Sequence, residues 1–220
     1  MTILLAVTGV DAVILAADTR SHTVATRQIK SEPAAKICIW RDRAAWATGG
    51  YSTANAEIAP TLPRVGDLKD LNNAIIKGSK KVNERYFEQA RAERISPQNV
   101  FSLTVGFRSK RPTYFVNAPG IDEYLVKDEP GFVTGLGTNT GVAQTIATET
   151  ARALIRGNRL PADLWAFQTT IRKMASYPVE VGFPLDLVMI QRCNKRPLRR
   201  RIDGPNTFTL LDQWSIQVAL

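Results

Sequence analysis

The chain has 220 residues, 44% hydrophobic and 22% charged, with a formal net charge of +9. That length supports one substantial hydrophobic core, and an ordinary composition with scattered Gly and Pro excludes repeat-built and disordered classes. One histidine and two distant cysteines exclude a multi-histidine zinc site and a clustered-cysteine metal framework.

Ile3 to Ala17 is apolar enough to raise a signal peptide, but it has no basic flank and is interrupted by Thr8, Gly9 and Asp11. No other stretch approaches a membrane span. The expectation is a cytoplasmic protein away from membranes, with residues 1–220 forming one domain.

Two short strands, Ile3 to Val7 and Ala12 to Ala16, are predicted to form a hairpin through Thr8, Gly9, Val10 and Asp11. Ala35 to Trp40 and Ala44 to Ala47 follow as strands around the charged turn Arg41 to Arg43, closed by Gly49 and Gly50. A helix begins near Thr53 but is interrupted by Pro60 and Pro63. A longer one runs from Leu68 to Arg94, with Leu71, Ile75, Val82 and Phe87 as its apolar stripe.

VFSLTVGF and RPTYFVNAP read as strands flanking a basic turn, and EYLVKD as a weaker third. GFVTGLG is a strand with glycine turns, preceding helices at Thr140 to Arg156 and Pro161 to Ser176. PLDLVMIQ, TFTLLDQ and SIQVAL supply late strands. Blocks of hairpins separated by helices favour an α+β protein, with two antiparallel sheets covered by helices.

Cys38 and Cys193 are read as two buried thiols. Basic residues gather in Lys77 to Arg94 and in Arg192, Lys195, Arg196, Arg199, Arg200 and Arg201. The second run, residues 192–201, could meet phosphate, but no base-reading motif stands beside it. It is read as a solvated linker, and nucleic acid is not expected as a partner. Residues beyond it, up to 220, form a C-terminal extension.

Thr2 stands directly behind the initiator. Removal of Met1 would give it a free α-amine beside its own hydroxyl, so that one residue supplies both general base and nucleophile. A nearby cation would lower the amine pKa, and a carboxylate could hold that cation. Hairpin geometry brings Asp18 to the chain start, and Lys36 opens the following strand at the same end.

These residues, in MTILLAVTGVDAVILAADTR, KICIW and ATGG, together resemble the start of a proteasome β-type subunit, including the bacterial HslV-like peptidases. The likeness extends to GLGT and PLDLVMI and covers residues 2 to 192. It implies a four-layer αββα sandwich of the N-terminal nucleophile hydrolase type and threonine-dependent hydrolysis of peptide bonds in unfolded polypeptides. On this chain it implies Thr2 as nucleophile, Lys36 tuning the amine, and Asp18 orienting Lys36. It also implies Gly49 as the donor of the oxyanion N–H, with Gly50 as the alternative.

The resemblance further implies that Arg20 fixes the hairpin end, while Ser21, Ala34, Ala47 and Tyr51 wall a specificity pocket. It implies a homo-oligomeric ring or related closed assembly, possible delivery of substrate by an ATP-dependent unfoldase, and no cofactor. Two departures stand out. Leu136 lies between Gly135 and Gly137 where the family often has serine, and YPVEVGFP offers only Glu180 for an expected aspartate and serine. The competing readings are a small-substrate amidohydrolase with the same Thr2 chemistry and a noncatalytic structural subunit.

Overall fold

The apolar start of the chain lies in the middle of a five-stranded antiparallel sheet. In the computed structural model, residues 2–20, 35–119, 124–156, 163–178, 180–193 and 196–204 are described. Strands β1 (Ile3–Thr8) and β2 (Ala12–Asp18) pair with Leu4 opposite Ala17 and Thr8 opposite Val13, the expected hairpin. Strand β3 (Ile37–Trp40) then pairs with β4 (Ala44–Gly49).

Helix α1 (Ala54–Ile58) ends in a short 3-10 turn containing Pro60, and α2 (Leu68–Ala92) follows. Strands β5 (Phe101–Arg108), β6 (Arg111–Asn117) and β7 (Leu125–Lys127) complete the β3-β4-β5-β6-β7 sheet. Strand β8 (Val133–Gly137) precedes α3 (Thr140–Arg156) and α4 (Asp163–Ala175). With β9 (Leu185–Gln191) and β10 (Leu198–Ile202), the first sheet has the order β10-β9-β2-β1-β8.

Every residue of β1 and β2 is buried because both faces are covered. Ile3, Leu5, Val7, Ile14 and Ala16 pack with Ile146, Phe167 and Met174 of α3 and α4. Leu4, Ala6, Val13, Leu15 and Ala17 alternate to the other face and meet Ala45, Leu103 and Val105 of the second sheet. Trp46, Ala44 and Phe115 carry that sheet's outer face against Ile58, Leu71 and Ile75 of α1 and α2. The result is the expected αββα sandwich, and the continuous apolar runs are its two central layers.

Helix α2 starts with a capping box. Asp67 accepts from the Lys69 and Asp70 N–H groups, and Asp70 accepts in return from the Asp67 N–H. The apolar stripe differs from expectation at Phe87, which is 38% exposed, because the buried series Leu71, Ile75, Val82 continues to Ala90. No helix among the described residues is long and apolar enough to cross a membrane.

The basic run is partly a strand rather than a linker. Leu198 and Ile202 anchor β10 to the helix-side core, while Arg199 crosses to Asp186 of β9. Its Nε donates to Asp186 Oδ1 at 3.0 Å and its Nη2 to Oδ2, satisfying a carboxylate only 5% exposed. Arg192 pairs with Asp11 at the opposite end of β9. Lys195 and the stretches TFTLLDQ and SIQVAL lie outside the described residues.

Both cysteines are free thiols, as expected, but neither is buried, which corrects the other half of that reading. Cys193 is exposed and Cys38 half-buried, because β3 is an edge strand and Cys193 follows the end of β9. Burial pushes the Cys38 thiol up, against a smaller lowering by Arg199.

Candidate functional site

Thr2 enters β1 as a buried residue held to the segment after β8. Its N–H donates to Thr138 Oγ1 at 3.0 Å, and its carbonyl accepts the Thr138 N–H at 3.0 Å. Gly137 makes that approach possible, since a Cβ there would lie 2.7 Å from the Thr2 carbonyl oxygen.

Asp18 closes β2 opposite Ile3 and is fully buried. Its Oδ1 accepts the Ile3 N–H at 2.7 Å and Lys36 Nζ at 2.8 Å, and its Oδ2 accepts the Arg20 N–H at 3.2 Å. Lys36 Nζ also donates to the Arg20 carbonyl at 2.8 Å. The β1–β2 hairpin places Asp18 beside the start of β1, and Lys36, which precedes β3 of the second sheet, reaches it from there. Arg20 contributes its backbone N–H and carbonyl at the hairpin end, and its side chain lies against Gly182.

Burial lowers the Lys36 pKa below its ordinary 10.5, opposed by the charge and hydrogen bond of Asp18, with Arg20 adding a smaller lowering. A desolvated amine beside one carboxylate at a strand end is the electrostatic setting expected of a functional site more than of a surface ion pair. Its main chain is also tied, because the Lys36 carbonyl accepts from Asn55 Nδ2 at 2.6 Å. Asn55 Oδ1 in turn accepts from Thr48 Oγ1 at 2.7 Å.

Gly49 is the last residue of β4, opposite Phe101, and the turn comes at Gly50, with φ of 103°. A Cβ on Gly49 would lie 2.1 Å from the Phe101 ring, so packing alone demands glycine there. The proposed pocket walls are occupied by packing. Ala47 is fully buried opposite Ile37, and Tyr51 stacks on Tyr86 at 3.7 Å while its hydroxyl accepts the Gln98 N–H. Ser21 and Ala34 lie outside the described residues.

No family model matches this sequence, and no curated protein does. Among solved structures, the (Gly-1) mutant of Anbu from Hyphomicrobium sp. strain MC1 superposes with a TM-score of 0.63. It is 17% identical, and the match covers 100% of this chain and 96% of that one. A second crystal form of Anbu from the same strain gives a TM-score of 0.59 at 17% identity, over 99% and 95% of the two chains. The fold is that of the N-terminal nucleophile hydrolases. At this identity the likeness carries the architecture, and the chemistry must be argued from the residues.

On this N-terminal nucleophile hydrolase fold, three polar residues escaped the sequence reading. Thr138 is one: its hydroxyl accepts the Thr2 N–H, two positions after Leu136, and GLGT contains the residue. Leu136 itself pairs with Leu4 and packs toward the inter-sheet core. Asn55 and Thr48 are the others, ordinary in sequence and linked only in space.

The YPVEVGFP segment contacts Thr19 through its backbone. The Gly182 and Pro184 carbonyls accept the Thr19 N–H at 3.4 and 3.2 Å, and Pro184 O accepts the Thr19 hydroxyl at 2.6 Å. Glu180 acts on the Tyr177 phenol, whose pKa is raised chiefly by a hydrogen bond to Glu149.

Proposed function

We propose that this protein is a threonine peptidase in which Thr2, freed by removal of Met1, attacks the carbonyl of a peptide bond. The observation that carries the reading is the buried Lys36–Asp18 pair, whose carboxylate also accepts the N–H of Ile3, one residue from Thr2. A fixed cation so close to the chain start favours the neutral form of the Thr2 amine, which is the form able to take a proton.

In the proposed reaction the Thr2 amine takes the proton of its own hydroxyl as Oγ1 bonds to the substrate carbonyl carbon. The negative charge that develops on the carbonyl oxygen is met by the Gly49 N–H, or by Gly50 as the alternative. Collapse breaks the C–N bond, and the ammonium returns its proton to the leaving amine. Water, deprotonated by the same amine, then hydrolyses the ester on Thr2. Thr138 Oγ1, now beside the Thr2 nitrogen, orients the amine throughout.

Unfolded polypeptide is the proposed substrate and a homo-oligomeric ring or related closed assembly the proposed setting, with an ATP-dependent unfoldase as a possible supplier. The purified protein and its Thr2→Ala variant are to be incubated with an unfolded polypeptide and with short amides. Turnover of polypeptide, lost in Thr2→Ala, supports the peptidase. Turnover confined to small amides selects an amidohydrolase with the same nucleophile, and the same background in both proteins selects a noncatalytic subunit.

A further inference from the structure

Lys36 lies just outside the β3–β4 ladder, whose pairing begins at Ile37 opposite Ala47. Its carbonyl is held by a side chain of α1, with Asn55 Nδ2 2.6 Å from Lys36 O. The amide can face only one way: a carbonyl accepts and never donates, so Nδ2 must point to Lys36 and Oδ1 to the Thr48 hydroxyl, 2.7 Å away. Thr48 and Asn55 are 4% and 8% exposed, so this chain runs from the end of β4 through α1 to Lys36 with little competition from water.

We propose that Asn55, oriented by Thr48, is a positioning residue that anchors the Lys36 backbone so that Nζ stays between Asp18 and the Arg20 carbonyl. This rests on the reading of Lys36 as the group that tunes Thr2. The charged groups facing Lys36 are Asp18 and Arg20, and Asn55 meets neither the amine nor the nucleophile in any described hydrogen bond. It acts on the reaction through the placement of a charge. An amine released from its anchor moves toward water and away from Thr2, so two pKa values change together. That of Lys36 rises toward its ordinary 10.5 as desolvation is relieved. That of the Thr2 amine also rises, because its depressing cation has withdrawn, and the acid limb of the rate profile moves to higher pH.

The experiment compares the full chain with Asn55→Ala, Thr48→Val and Thr48→Ser. Thr48→Val keeps the shape of the side chain and removes the hydroxyl, whereas Thr48→Ser keeps the hydroxyl. Two readouts are taken: the pH profile of kcat/KM on a short peptide amide, and the pH dependence of Lys36 acetylation by trace acetic anhydride, followed by peptide mass mapping. Asn55→Ala and Thr48→Val are expected to lose about tenfold to a hundredfold in kcat/KM, the scale of a small misplacement at a reacting centre. Both are expected to shift the acid limb and the Lys36 titration to higher pH, and Thr48→Ser to restore both.

A purely structural role predicts a lower Tm with neither titration moved, and that result overturns the proposal. If the wild-type protein turns over no amide at all, the peptidase reading fails by itself. The anchor is then judged on Lys36 acetylation, where an unchanged titration in Asn55→Ala overturns it.

Discussion

Lys36→Met is expected to reduce turnover by about 10²–10³-fold, the scale of removing one preorganised electrostatic contact, and to destabilise the fold by about 3–5 kcal/mol, the cost of breaking a buried ion pair from one side. Both effects come from the same geometry. Asp18 is fully buried, and without Lys36 its described partners are the N–H groups of Ile3 and Arg20. Those two bonds place the loss toward the lower end of the range. In Lys36→Met/Asp18→Asn the unpaired charge is gone, so stability returns in part while turnover does not. Urea denaturation and kcat/KM on the three proteins check this.

The pH dependence follows from the lowered Lys36 pKa. Between that depressed value and the ordinary 10.5, the folded chain has released a proton that the unfolded chain still holds. Stability therefore rises with pH across that window. The added slope should be absent from Lys36→Met.

Gly137→Ala tests the other half of the site. The new Cβ would lie 2.7 Å from the Thr2 carbonyl oxygen and 3.3 Å from the Ala143 Cβ. The Thr2 carbonyl is already engaged by the Thr138 N–H at 3.0 Å, so relief must come from moving the backbone of Thr2 or of β8. Overpacking of this kind costs about 1–3 kcal/mol, while misplacing a nucleophile by about 1 Å costs about 10²-fold in rate. The expected signature is a loss of turnover larger than the thermal shift suggests. Gly141→Ala is the control: the nearest atom to its added Cβ is 3.7 Å away, and alanine favours the helix by about 0.5–1 kcal/mol.

Local pattern carried most of the architecture. The Ile3 to Val7 and Ala12 to Ala16 strands needed only two short apolar runs and a turn, and α3 was legible from the glycine turns that precede it. The same local reading missed β10, because Arg199, Arg200 and Arg201 look like a solvated face. What makes them a strand is Asp186, 13 residues away and buried beneath Arg199. Phe87 failed for a related reason, since periodicity does not say where the covering core ends.

In the candidate site, the nearness of Asp18 to the start of β1 was legible from the hairpin, while Lys36 reaches Asp18 from the second sheet. Thr138 was not legible, although GLGT contains it, because a hydroxyl was sought only between the glycines. Asn55 and Thr48 have no local signature at all: a buried amide bridging a hydroxyl and a carbonyl is a product of tertiary packing.

The central claim is that Thr2 is the nucleophile by virtue of a free amine. It is tested most directly by intact mass spectrometry of the purified protein before and after exposure to a peptide-derived acylating agent. The account predicts a chain lacking Met1 that gains one acyl group, mapped to Thr2 and absent in Thr2→Ala. A chain that keeps Met1, or an adduct that survives in Thr2→Ala, would contradict it.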